Sequence, residues 1–322
     1  MIRFENITKR YNGRAVIENL SLELERGKIT VIIGSSGSGK STTLKMINRL
    51  EGHDAGRILF DGEEIASFKP EELRRRMGYA IQSNGLFPHW TVAENIATVP
   101  RLLKWSSSRI KERVDELLTV LDLNPAQFRD RLPHQLSGGQ QQRVGVARAM
   151  AADPEILLMD EPFGALDPVT RASMQEEVRR IHARYGKTIL VITHDIDEAL
   201  YLADHLILMD KGAIVQQGSP REILHRPAND FVRDFIGRSD IGLKMLSLDR
   251  VKPYVRANEA AASAPVIAAN ASLKEALSRF VVEQVDVLRV EDADQQPVGA
   301  LHFTDLLKVA ALQESGAAHD AR

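Results

Sequence analysis

The chain has 322 residues, 43% of them hydrophobic and 27% charged, a composition that builds a full core in one large domain with room for a smaller one. Its net charge of −2 argues against a general nucleic-acid binder, which would carry a basic excess. Cysteine is absent, which excludes disulfides and thiolate metal sites, and no apolar stretch reaches the roughly 18–20 residues that span a bilayer.

The N-terminus, Met1-Ile2-Arg3-Phe4, enters a strand pattern directly, with no leader core expected ahead of it. Residues 1–33 alternate as antiparallel strands do, and Val31-Ile32-Ile33 is a short buried run. That run feeds Gly34-Ser35-Ser36-Gly37-Ser38-Gly39-Lys40-Ser41, which fits the phosphate-loop pattern G-x-x-x-x-G-K-[ST]. Leu44, Met46, Ile47 and Leu50 then fall at helical spacing, which predicts a helix over 42–50. Strand, glycine loop and helix form the context this motif requires. Glycines let backbone N–H groups converge on phosphate oxygens at a helix N-terminus, where the dipole favours anions. In such a loop Lys40 reaches the β/γ-phosphates and the Ser41 hydroxyl holds Mg²⁺.

Residues 84–150 read mostly as helices, with 110–123 amphipathic and another helix over 140–152. Leu136-Ser137-Gly138-Gly139-Gln140 opens the latter and offers a second helix N-terminus to an anion. The apolar runs 156–159 and 189–192 read as central parallel strands covered on both faces. Asp160-Glu161 closes the first of them. One carboxylate there can neutralise a metal while its neighbour orients a nucleophile. Thr193-His194-Asp195 closes the second.

Around 240–263 the chain turns alanine-rich, as a linker or degenerate element would. Residues 266–312 then read as a compact unit: a helix near 273–280, a strand over 285–290, a polar turn at 292–296, a strand near 298–301 and a helix from Thr304. The last residues are small and polar, the composition of a disordered tail.

Together and in this order, the strings at 34–41 and 136–140 resemble those of the nucleotide-binding subunit of an ABC transporter. The resemblance covers 1–240 and implies an α/β fold: a RecA-like P-loop core sheet, an antiparallel β subdomain and a helical subdomain. It implies an ATPase whose ATP is held by Tyr11, stacked on adenine, and by Gly34, Ser35, Ser36, Gly37, Ser38, Gly39, Lys40, Ser41 and Thr42. Mg²⁺ falls to Ser41, Gln82 and Asp160. Glu161 polarises the attacking water, His194 contacts the γ-phosphate, and Gln82 touches the metal or water and signals to a membrane partner. Ser137, Gly138, Gly139 and Gln140 cover the nucleotide of a second copy, with Asp167 of the 165–167 segment between, which implies a two-fold homodimer.

The stretch 77–100, which includes Tyr79-Ala80-Ile81-Gln82 and Leu86-Phe87-Pro88-His89-Trp90, is similar to that of glycine betaine/choline/carnitine importers, as is 46–50. The tail resembles a CBS module, present once where such importers commonly carry two in tandem. The expected organisation is a nucleotide-binding domain at 1–240, a linker or degenerate element at 241–263, a CBS-like domain at 264–313 and a disordered tail at 314–322. The expected partners are integral membrane permease subunits and a periplasmic or lipid-anchored solute-binding protein, with no nucleic acid. The subunit is expected peripherally on the cytoplasmic face of the inner membrane. An ATPase of an amino-acid importer, such as one for methionine, and a soluble ABC ATPase acting on DNA or ribosomes are the rival readings.

Overall fold

The computed structural model describes residues 1–81, 85–164, 166–257, 259 and 261–310. The chain opens with β1 (Ile2–Tyr11), β2 (Arg14–Leu24) and β3 (Ile29–Gly34), followed by α1 (Lys40–Ile47), β4 (Ala55–Phe60), the short β5 (Glu63–Glu64) and β6 (Met77–Ala80). A helical stretch comes next, with α2 (Ser107–Val120) and α3 (Gly138–Met150) its longest members. Strands and helices then alternate: β7 (Ile156–Asp160), α4 (Pro168–Tyr185), β8 (Thr188–Ile192), α5 (Ile196–Leu202), β9 (His205–Asp210) and β10 (Ala213–Gly218). The chain gathers into two compact units, Met1–Ile223 and Leu224–Arg322.

The first unit holds two sheets. One is antiparallel, in the order β2-β1-β4-β5; the other runs β10-β9-β3-β8-β7-β6 and is parallel except at β10. Every residue of β3, β7 and β8 is buried, as befits strands covered on both faces, whereas β1 and β2 mix buried with exposed positions along their length. Phe4, Ile7 and Leu20 from the first sheet share a core with Ile32, Leu158 and Leu190 from the second. Register decides where the chemistry falls. Ile192 pairs with Ile32 on one side and with Asp160 on the other, so β3, β8 and β7 end level and their following turns meet.

Helix boundaries differ from the sequence expectation at α1, at α3 and at α2, which spans Ser107–Val120 where the sequence predicts 110–123. α1 starts at Lys40 and stops at Ile47, leaving Leu50 half exposed, because Arg49 turns into the left-handed region (φ 54°). α3 starts at Gly138, ahead of residue 140, because the Ser137 side chain caps it there.

The second unit contains α6 (Ile241–Leu248), β11 (Val266–Ala268), α7 (Leu273–Glu283), β12 (Val287–Glu291), β13 (Pro297–His302) and a closing 3₁₀ segment, Phe303–Ala310. β12 is central, parallel to β11 and antiparallel to β13. Its core joins Leu273, Phe280, Leu288, Val290 and Leu301, and Met245, Leu246, Tyr254 and Val255 pack against it. The 241–263 segment thus contributes a helix and side chains to this core. Arg256 also pairs its backbone with Ala300 and its guanidinium with both Asp305 oxygens, at 2.9 and 3.0 Å. Burial pushes the Asp305 carboxyl up, but hydrogen bonds from Arg256, Lys308 and the His302 N–H outweigh it and hold the pKa at about 2. Among the described residues no helix is long and apolar enough to cross a membrane.

Candidate functional site

The turn after β3 folds back on itself. Gly39 caps α1 in the left-handed region (φ 98°), and a Cβ there would lie 2.9 Å from Ile17 Cγ1, so both backbone and space demand glycine. Lys40 is only 7% exposed; its Nζ donates to the carbonyls of Gly34 at 2.9 Å and Ser35 at 2.8 Å. Burial pushes this ammonium below its ordinary pKa, and the Glu161 and Asp160 carboxylates pull it back up. A buried cation in a glycine-rich loop at a helix start is a site for a polyanion. Ser35 Oγ donates to Asp210 Oδ1 at 2.6 Å and so anchors the loop to β9.

Level with this loop, β7 delivers Asp160 and Glu161. Ser41 Oγ donates to Asp160 Oδ1 at 3.0 Å across 119 residues of sequence. Burial raises the Asp160 pKa, and the Ser41 hydrogen bond opposes it. On β6, Tyr79 is pushed to about 12 by burial and then by the Asp160 charge, so its phenol stays protonated. Glu161 sits at φ 47°, unusual for a side-chain-bearing residue, with its N–H donating to the Ile192 carbonyl at 2.9 Å. That strained turn aims its carboxylate at the next strand end, where His194 Nδ1 lies 3.4 Å from Glu161 Oε1. The imidazole is open to solvent and the carboxylate is largely covered.

Tyr11 is 40% exposed, and its hydroxyl lies near the side chains of Glu51 and Thr42, which brings the ring beside the start of α1. Lys9 Nζ stands 4.8 Å over that ring. Tyr11, the 34–42 loop, Asp160, Glu161 and His194 therefore form one constellation.

The remaining sequence candidates make a second constellation. Ser137 and Gln140 form a reciprocal cap at the start of α3, with Gln140 N–H to Ser137 Oγ at 3.3 Å and Ser137 N–H to Gln140 Oε1 at 3.0 Å. Asp167 caps α4 through the N–H groups of Val169 and Thr170, both at 3.1 Å, and the Thr170 side chain, with these N–H groups, draws its pKa down. The two caps are neighbours: a Cβ on Gly139 would lie 2.3 Å from Thr170 Cγ2. Gln82 lies outside the described residues, as does Ala165.

Sequence reasoning missed three residues that shape this region. Fully buried Asn95 accepts from the Phe87 N–H and donates to the carbonyls of Phe87, Trp90 and Thr91. It thereby fixes the loop that displays the exposed pair Phe87 and Trp90, their rings tilted at 44° with 4.6 Å between centroids. Its only sequence signal is the Thr91-x-x-Glu94 capping box beside it. Asp210 and Arg171, the latter bridging to Asp195 and Glu198, carry no local signal.

A family model described as ABC transporter matches residues 17–164. The chain is 59% identical over 307 residues to the glycine betaine uptake system ATP-binding protein YehX of Escherichia coli (strain K12), spanning 95% of this chain and 99% of that one. It is 46% identical over 294 residues to the glycine betaine/carnitine/choline transport ATP-binding protein OpuCA of Bacillus subtilis (strain 168), spanning 91% and 76%. Among solved structures, the dimeric post-hydrolysis state of an ATP-binding cassette bound to ADP and Pi is similar at a TM-score of 0.61 and 32% identity, over 69% of this chain and 99% of that one.

Proposed function

The chain belongs to the ABC transporter family of ATP-binding proteins, and we propose that it is the ATPase subunit that energises import of a quaternary amine osmoprotectant such as glycine betaine, choline or carnitine. The observation that carries the ATPase reading is the meeting of a buried ammonium, a hydroxyl–carboxylate pair and a carboxylate facing a histidine at the level ends of β3, β7 and β8. The quaternary-amine class is supported by relatives matched along nearly the whole chain.

Lys40 and the loop N–H groups hold the β- and γ-phosphates of ATP. Ser41 and Asp160 suit Mg²⁺: both are hard oxygen donors, and 3.0 Å apart they can share one small cation. Bound there with the phosphates, the ion would neutralise charge that builds on them. Glu161, held by its strained turn, orients the attacking water and accepts its proton. His194 faces the same place and holds the transferred phosphoryl group. Tyr11 offers its exposed ring to the adenine.

Ser137, Gly138, Gly139 and Gln140 leave an open helix start that suits a nucleotide held by a second copy, with Asp167 beside it. This composite arrangement supports a two-fold homodimer as the working unit. The exposed Phe87–Trp90 pair suits an apolar anchor for a permease subunit and supports the reading of a protein held peripherally on the cytoplasmic face of the membrane. A solute-binding protein completes the importer. Residues 1–240 serve as the nucleotide-binding domain, and 264–313 as a single CBS-like module packed on part of the 241–263 segment.

Uptake of radiolabelled glycine betaine and choline in cells carrying the wild-type subunit or Lys40→Ala tests the reading. Uptake that disappears with Lys40→Ala is expected. Quaternary-amine uptake that persists without Lys40, or brisk methionine uptake in its place, would overturn it.

A further inference from the structure

Arg171 stands on the first turn of α4, four residues beyond the Asp167 cap, and its guanidinium reaches three places. Nη2 donates to the Leu166 carbonyl at 3.3 Å, Nη1 lies 3.5 Å from Asp195 Oδ2, and Nε lies 3.6 Å from Glu198 Oε1. Both acids are committed elsewhere as well. Asp195 caps α5 by accepting from the N–H groups of Asp197 and Glu198. Glu198, 5% exposed, accepts from the Thr193 hydroxyl at 2.6 Å, and that hydroxyl accepts from the Asp195 N–H at 3.1 Å.

His194 therefore sits between two residues that Arg171 reaches, Asp195 directly and Thr193 through Glu198. On its other side Arg171 follows Thr170, whose methyl group fills the space over Gly139. The guanidinium thus joins the segment before α4 to the turn holding His194, while the neighbouring Thr170 meets the start of α3.

The guanidinium is not fully satisfied. Nε is buried without a hydrogen-bond partner, although Glu198 Oε1 stands just past bonding distance. A buried, unpaired N–H on a cation is costly, and a slight approach of α5 to α4 would give it a charge-assisted hydrogen bond. Such an approach would carry with it the turn that holds His194, since that turn leads directly into α5.

We propose that Arg171 is a positioning residue: through Asp195, and through Glu198 and Thr193, it sets the place of His194 relative to Leu166–Asp167 and the Ser137–Gln140 helix start. The proposal rests on the ATPase reading above, since it concerns how the histidine is held for that reaction. No contact between Arg171 and the nucleotide is involved. The planar fork matters, because a lysine ammonium cannot serve three acceptors lying in these directions.

Steady-state ATPase kinetics of the full chain test it, using Arg171→Leu, Glu198→Gln, the double variant and Arg171→Lys, with thermal melts of each. Arg171→Leu is expected to lower kcat by roughly ten- to a hundredfold, the size of loss a small misplacement of a reacting group causes, with KM for ATP within about twofold of wild type. Glu198→Gln should give a similar kcat loss, and the double variant should be no worse than the poorer single, as for two parts of one linkage. Arg171→Lys should fail to restore kcat while restoring the melting temperature. Losses that multiply in the double variant, that fall on KM, or that follow the melting temperature would overturn the proposal. A wild-type chain without ATPase activity would overturn the ATPase reading, and this proposal with it; an active wild type with an unaffected Arg171→Leu would overturn this proposal alone.

Discussion

The chain uses glycine-rich helix starts twice, and the two are built in opposite ways. At the start of α1 the loop closes on its own lysine: Lys40 is 7% exposed, Gly39 leaves no room for a Cβ beside Ile17, and Asp160 and Glu161 arrive from β7, beyond β8. At the start of α3 the helix caps itself through Ser137 and Gln140, both Ser137 and Gly138 are exposed, and a Cβ on Gly138 would meet nothing within 4 Å. The first draws its lysine, hydroxyl and carboxylates from one chain. The second satisfies its own backbone and keeps a bare face outward, the form expected of half a site that another copy completes.

The largest expected effect falls on the finished pocket. Glu161→Gln should bind ATP yet lose about three orders of magnitude in turnover, roughly 4 kcal/mol of transition-state stabilisation, because phosphate contacts stay while proton acceptance goes. Nucleotide-binding titration beside an ATPase assay checks this, and near-normal turnover would break the assignment. The open start should answer differently. On a Glu161→Gln background, Ser137→Arg should abolish ATP-driven dimerisation measured by sedimentation while leaving nucleotide binding to the monomer intact. Dimers that persist would mean that the open face meets nothing.

Smaller effects sharpen the same contrast. Gly39→Ala should destabilise the first unit by about 1–3 kcal/mol, since alanine must take a left-handed conformation and push on Ile17. Gly138→Ala should leave stability within about 0.5 kcal/mol, as for an exposed position without steric demand. Chemical denaturation of the two variants compares them directly, and equal losses would erase the distinction between closed and open starts. Ser137→Ala should cost about 1 kcal/mol, the usual worth of a helix N-cap, and far less in monomer ATP affinity than any change at Lys40.

Much of this site was legible because its parts are local. Gly34 to Ser41 is one contiguous string after an apolar run, and the Asp160-Glu161 pair follows four apolar residues directly, so type and spacing announce the chemistry. Helix limits were less legible. The spacing of Leu44, Met46, Ile47 and Leu50 carried the expected α1 past its true end, since hydrophobic period does not reveal that Arg49 turns left-handed. The sequence likewise showed the strand–helix pattern of the tail but not how α6 and Tyr254 complete its core, because a short helix ahead of an alanine-rich stretch reads as a linker until its packing is seen.

The sequence by itself determined which residues could bind phosphate, metal and water, since backbone conformation, side-chain chemistry and helix starts depend on neighbours within a few positions. Only the tertiary structure decided which of them work together. Ser41 meets Asp160, and Glu161 meets His194, because β3, β8 and β7 pair in a register that ends them level. Asn95 organises an aromatic loop, and Arg171 ties two helices to a strand-end turn. Such partners come from separate elements, and their meeting depends on strand register and helix packing, quantities that no local pattern encodes.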